Sequence, residues 1–433
     1  MKIQATHRLI STTLMAALLG LACVADIRAD SWESEAVPVD GGDAAPQPPD
    51  QPFAIPELPQ SIADKTRLNS RWFTANFGAV LLVDYSFFRQ DAGSLAQVGP
   101  QQNQWDARAL RPWLSGTLGD DYRVRYLIAA EYGGFSGAQQ ESWTLTDLEI
   151  TFPLGSPATR LSMGKIKETF VYEMVGDAAN LPQQERVLNP FFIGRNVGLK
   201  LSRVIGAGER MTASVGLFND WLETGDSLAD SGTDVTVRIT GLPWDRDDGT
   251  SYLHLGVSGR YVGAGNNTLR YRGRPGSNVT DYYVDTGNLS ADHAWHVGLE
   301  SLWTAGPFSV LAEYNRAWVD APESGNPAFT GYYITGSWLL RGEARPYDRS
   351  VGYARRVIPV GRWGAPEFTL RYSHVDLDDA PVLGGKFDMT YLGVNWWANR
   401  QLKLGFGWSR TWLRRFRQTG VTDGFLTRLQ WIF

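Results

Sequence analysis

Phe425-Leu426-Thr427-Arg428-Leu429-Gln430-Trp431-Ile432-Phe433 ends the chain, and the two-residue period of this stretch decides the fold. Phe425, Leu429, Trp431 and Phe433 fall on one face, while Arg428 and Gln430 fall on the other. Successive side chains of a strand alternate sides, so the segment offers rings to one medium and a guanidinium to another. That suits a wall standing between lipid and water. Taken alone, the segment also reads as the edge strand of a soluble sheet, and the rest of the chain separates the two.

From Arg71 onward, period-two segments follow one another with turn chemistry between them and no helical period. Over 77–88, Ala79, Leu81, Val83, Tyr85 and Phe87 alternate with Leu82, Asp84 and Ser86. Over 122–132, Val124, Tyr126 and Ile128 oppose Arg123, Arg125 and Glu131. Continuing to 424–433, the pattern gives about sixteen strands, an even number that returns both ends to one side, as single-chain barrels require. The expected fold is all-β, a transmembrane antiparallel β-barrel over 75–433. Short connections at 118–121, 206–209, 304–307 and 398–400 fall between longer ones at 89–104, 166–195, 219–233, 264–293, 318–330, 375–387 and 413–423, as short periplasmic turns opposite long external loops would. The long connection 342–366 breaks that alternation. Trp143, Phe152, Trp303, Phe308, Trp338, Trp396 and Trp408 stand near strand ends, where amphipathic rings form interfacial girdles.

Composition agrees. The chain is 43% hydrophobic and has 17 Trp, yet after the first residues no apolar run reaches the length of a membrane helix. Lys2, His7 and Arg8 precede the apolar run 14–24, and Ala29 ends a cleavage-like stretch, so residues 1–29 read as a signal peptide. Cys23 raises a lipoprotein reading, which Gly20 disfavours because a branched apolar residue belongs there. Cleavage at Ala29 would leave no cysteine and no disulfide framework. Residues 30–74, rich in Pro and Asp, read as a disordered periplasmic segment without heptads. Net charge is −5, and removing three basic and one acidic residue with the signal gives −7. No net positive field favours nucleic acid. The four histidines after the signal show no metal-binding spacing, no nucleophile elbow is present, and neither an enzyme nor a cofactor is expected.

Several stretches resemble the phosphate-selective porin O and P family of outer-membrane channels. They are Gly331-Tyr332-Tyr333-Ile334-Thr335-Gly336-Ser337-Trp338 with Gly342-Glu343 and Tyr347, and Glu367-Phe368-Thr369-Leu370-Arg371-Tyr372-Ser373 with Asp376-Leu377-Asp378-Asp379. Leu392-Gly393-Val394-Asn395-Trp396-Trp397-Ala398-Asn399, Arg428-Leu429-Gln430, Gly164-Lys165-Ile166-Lys167-Glu168 and Arg195-Asn196-Val197-Gly198 are similar too. The resemblance implies a water-filled barrel with an inward-folded third loop, a homotrimer, phosphate-type anions as solutes, and a Gram-negative outer membrane with its lipid and lipopolysaccharide. It also accounts for the connection 342–366. The strand ending in Phe433 resembles the signal read by the outer-membrane barrel assembly machinery.

Parity places Arg111, Arg123, Arg125, Arg160, Lys200, Arg210, Arg238, Arg260, Arg371, Lys403 and Arg428 inside. Asp84, Glu131, Asp147, Glu149, Glu300, Glu313 and Glu367 share that side. Rings of Arg and Lys favour anions, so the excess of basic groups suggests an anion bias; wall salt bridges would cancel it. The loop 166–195 is the expected constriction, with Lys167, Arg186 and Arg195 beside Glu168, Glu173, Asp177 and Glu185. Arg270, Arg272 and Arg274 alternate in the loop 264–293 and would put three guanidiniums on one face for phosphate capture. They equally suit a solvated face or lipopolysaccharide phosphates. A general small-solute porin, a non-conducting structural or adhesive barrel and a barrel enzyme remain as alternatives.

Overall fold

The computed structural model describes residues 66–119, 123–133, 142–220, 222, 231–246 and 249–433. Sixteen long strands run antiparallel, each paired with its sequence neighbour. They are β1 Phe73–Gln90, β2 Gln104–Leu118, β3 Val124–Gly133, β4 Ser142–Leu154, β5 Ser156–Ile166, β6 Asn196–Ile205, β7 Met211–Asn219 and β8 Thr233–Asp245. Then follow β9 Ser251–Gly263, β10 His293–Ala305, β11 Phe308–Asp320, β12 Ala328–Leu339, β13 Ala365–Asp379, β14 Val382–Trp397, β15 Leu402–Arg415 and β16 Gln418–Ile432. β16 pairs with β1 from Val80 opposite Ile432 to Gln90 opposite Thr422, which closes the barrel and leaves no free edge. A three-residue strand, Arg67–Asn69, folds back on Thr74–Asn76, so regular structure begins inside the stretch read as disordered. The stretch read as a signal peptide, 1–29, and residues 30–65 lie outside the described residues.

The alternation that decides the fold holds in place. Phe425, Leu429 and Trp431 are exposed on the outer wall, while Arg428 and Gln430 are buried inside. Phe433 is tied to Ala79 by two backbone hydrogen bonds, of 3.0 and 3.1 Å, so the last residue belongs to the seam. Outer rings form bands at the two rims: Phe308, Trp338 and Phe368 stack in succession at the end carrying both termini. At the far end, Tyr85 meets Trp105, Tyr132 meets Trp143, and Tyr261 meets Trp295.

Two of the expected long loops are strand instead. β13 and β14 run on to a turn at 380–381, and β15 and β16 to a turn at 416–417, so 375–387 and 413–423 are tall hairpins. The apolar core sits within the lumen. Phe170, Val187, Leu188 and Phe191 of the third loop pack with Tyr271 and Tyr283 of the loop 264–292 and with Phe329, Val375 and Phe387 of the wall.

Candidate functional site: a lumen narrowed from both ends

The third loop turns inward directly after β5. Gly164 has φ of +120°, and a Cβ there would stand 1.8 Å from the Leu148 carbonyl, so only glycine lets β5 bend at this point. Glu168, just beyond, meets Arg260 of β9 at 2.7 Å, and the same guanidinium reaches Asp234 of β8 at 2.7 Å. The loop forms a single helical turn, Tyr172–Val175, whose Glu173 pairs with Arg371 of β13 at 2.7 Å. Glu313 of β11 accepts the Tyr172 N–H at 2.7 Å.

The following residues are clasped by the opposite wall through their backbone carbonyls. Gln430 donates to Ala179 (3.0 Å), Lys403 to Leu181 (3.0 Å), Asn395 to Pro182 (2.6 Å) and Arg428 to Gln184 (2.6 Å). These donors lie on β14–β16, and burial leaves them no water to prefer. Their contribution is positional: they hold the loop across the lumen.

From the other end, the connection 340–364 also enters the barrel. His254 Nδ1 lies 2.6 Å from the Tyr347 hydroxyl, and Arg238, paired with Glu300 at 2.6 Å, donates to the Val351 and Gly352 carbonyls at 3.0 and 2.6 Å. The two inserted segments then meet. The Ala354 N–H donates to the Tyr172 hydroxyl at 2.8 Å, and Arg345 donates to the Asn180 carbonyl at 3.2 Å while pairing with Glu367.

Two of the cavities left among the described residues are lined by basic groups. The outer one, about 470 Å³, is lined by six arginines and one carboxylate, Glu185. The inner one, about 90 Å³, is lined by Lys167, six arginines, Asp147 and Asp177. Arg108 and Arg186 line both, which makes them the passage from one to the other. Arg108 pairs with Glu185, whose carboxyl is pushed up by burial but held down to about 2 by Arg108 and Arg428. Among the described residues, Arg186 hydrogen-bonds the carbonyls of Glu173 (2.5 Å) and Gly176 (3.0 Å), and burial lowers it to about 10. Arg356 is buried with Nη2 unpartnered, and burial lowers it to about 10 too. Lys167 meets Asp177 at 2.6 Å; burial outweighs this carboxylate and lowers the lysine to about 8.

The expected site residues divide. Lys167, Arg195 and Arg111 line the inner cavity, with Arg195 paired to Asp147 at 2.7 Å and Arg111 to Glu131. Arg260, Arg270, Arg272 and Arg274 line the outer one. Arg270 is paired with Asp285 at 2.5 Å, whereas Arg272 and Arg274 lie 4.3 and 4.2 Å from the Tyr282 ring centre. Arg238 is locked by Glu300, and Arg125, Arg160 and Lys200 face inward but line neither cavity. Arg123, expected on the lumen wall, is exposed immediately before β3, at the terminal end, and lines neither cavity. Arg210 is likewise in a turn, paired with Asp245.

Parity misses Arg108 because β2 carries a bulge there, Leu82 facing Ala109 while Val83 faces Ala107. It also passes over Arg355 and Arg356. Their signal is composition: 340–364 holds six arginines against Glu343 and Asp348.

Comparison with known proteins agrees with this architecture. The model of the phosphate-selective porin O and P family matches residues 83–430. Porin O of Pseudomonas aeruginosa is 30% identical over 162 residues, covering 34% of this chain and 36% of that protein. An uncharacterised protein of Caulobacter vibrioides is 30% identical over 159 residues, covering 34% and 31%. The alignments thus span about a third of these relatives. Among solved structures, OprB of Pseudomonas putida superposes with a TM-score of 0.52 at 12% identity, covering 84% of this chain and 94% of that one. The anion-selective porin from Comamonas acidovorans gives 0.51 at 12% identity, covering 83% and 100%.

Proposed function

The chain belongs to the phosphate-selective porin O and P family and is an outer-membrane porin, and we propose that it is a passive channel biased towards small oxyanions of the phosphate or polyphosphate type. One observation carries the proposal: two guanidiniums of the inner cavity, Arg186 (which also lines the outer one) and Arg356, meet no carboxylate among the described residues. Among the described residues, Arg186 and Arg356 have no acidic partner within 4.0 Å. A confined guanidinium screened little by salt attracts anions and offers forked donors to tetrahedral oxygens. In the same reading the protein is a homotrimer that contacts lipopolysaccharide, and its last strand, ending in Phe433, is the handle for the assembly machinery.

A second reading, a general porin without phosphate preference, is favoured by the pairing of most inward charges. Arg111, Arg195, Arg238, Arg260 and Arg428 each meet a carboxylate. Reversal potentials in planar bilayers under a potassium chloride gradient separate the two. Chloride preference in the wild type, reduced in the double variant Arg186→Gln, Arg356→Gln, supports the oxyanion channel. An unchanged potential in a correctly folded variant leaves the general porin.

A further inference from the structure

The outer cavity is more than a basic funnel. Its volume, about 470 Å³, lies in the range of sites that enclose a small organic molecule. One part of its lining is apolar, formed by Pro190, Phe192, Ile193, Val262 and Leu269, and none of these serves the passage of a bare ion. Arg272 and Arg274 line the same cavity. Both guanidiniums lie over the Tyr282 ring, a contact that helps to hold them and uses none of their N–H donors on a carboxylate. Among the described residues neither has a carboxylate within 4.0 Å, and the Arg274 Nε is buried without a partner there. The one acidic lining residue, Glu185, is already taken by Arg108 and by Arg428 at 3.0 Å.

We propose that this cavity binds phosphomonoesters carrying a flat apolar body, the phosphate on Arg272 and Arg274 and the body against Phe192 and Leu269. The inference rests on the oxyanion-channel reading and names a solute class for its entrance. Two adjacent forks favour a phosphate over a carboxylate, because a carboxylate has two oxygens and is satisfied by one fork, whereas a phosphate ester presents three. The apolar lining favours an aryl ester over an alkyl one of equal charge, since only the larger body is withdrawn from water.

The test uses the whole protein in planar bilayers, with phenyl phosphate, methyl phosphate or phenol added on the side of the long loops, and reads block of the chloride current. Phenyl phosphate is expected to half-block at a concentration roughly tenfold below methyl phosphate, the ratio given by burying about one ring face, and phenol is expected not to block. Arg272→Gln with Arg274→Gln should remove the block by both esters. Leu269→Ser should weaken phenyl phosphate and leave methyl phosphate as it was. Equal potency of the two esters, with chloride preference intact, overturns the site alone. Block by neither ester, together with no chloride preference, overturns the oxyanion channel as well.

Discussion

Arg260 shows how little the side of a strand says about the work of a residue. Alternation casts it as a lumenal charge whose loss folding should tolerate, yet it is buried between Glu168 and Asp234. Removing it strands two carboxylates, so Arg260→Ala should cost about 3–5 kcal/mol and loosen the root of the third loop. Leu255→Arg, at an exposed outward position of β9, should cost about 2–4 kcal/mol if it lies near the bilayer midplane. Unfolding by urea in lipid vesicles measures both, and a negligible effect of Arg260→Ala would show the ion triad to be dispensable. Lys167 supports a separate prediction. As pH rises through about 8 it gives up its proton, while Asp177, which burial pushes up but Lys167 outweighs, stays ionised from about 2 upward. The inner cavity then loses a positive charge and uncovers a negative one. Anion preference should fall from about pH 7 to about pH 9, and Lys167→Met should show the low value at both; a flat wild-type profile would refute this. Pairing, unlike sidedness, was not legible in the sequence, because the partners lie far apart in the chain, as Arg428 does from Asp84.

At the scale of elements, all sixteen strands were legible, since a wall between two media must alternate. The tall hairpins were not, for the same reason turned round. Beyond the bilayer the outer face meets water, so Asp376, Lys386, Asp388, Arg410 and Arg414 face outward there and the apolar period fades. The inward course of 340–364 was equally hidden, because its anchors, His254 and Arg238, belong to another part of the wall. Phe433 does carry a readable signal. Its two hydrogen bonds to Ala79 and its packing on Trp431 at 4.6 Å make it part of the closing pair, so its deletion should slow assembly, measured as the heat-modifiable fraction in the outer membrane over time. Wild-type kinetics in the deletion would remove it from that role.

For the molecule as a whole, two segments entering from opposite ends divide one lumen into an entrance and a narrow chamber. Replacing 347–356 by a short Gly-Ser turn should raise single-channel conductance and lower anion preference together, because it withdraws both bulk and the charge of Arg355 and Arg356. A rise in conductance with unchanged preference would assign selectivity to the third loop alone. The guanidinium of Arg428 ties the chamber to the making of the barrel. It bridges Asp84 across the β1–β16 seam at 2.6 Å and also grips Gln184 and Glu185 of the constricting loop. Closing the cylinder and seating its third loop therefore draw on the same guanidinium. A change at Arg428 is felt in both places at once, at the join of the first and last strands and at the loop that crosses the lumen.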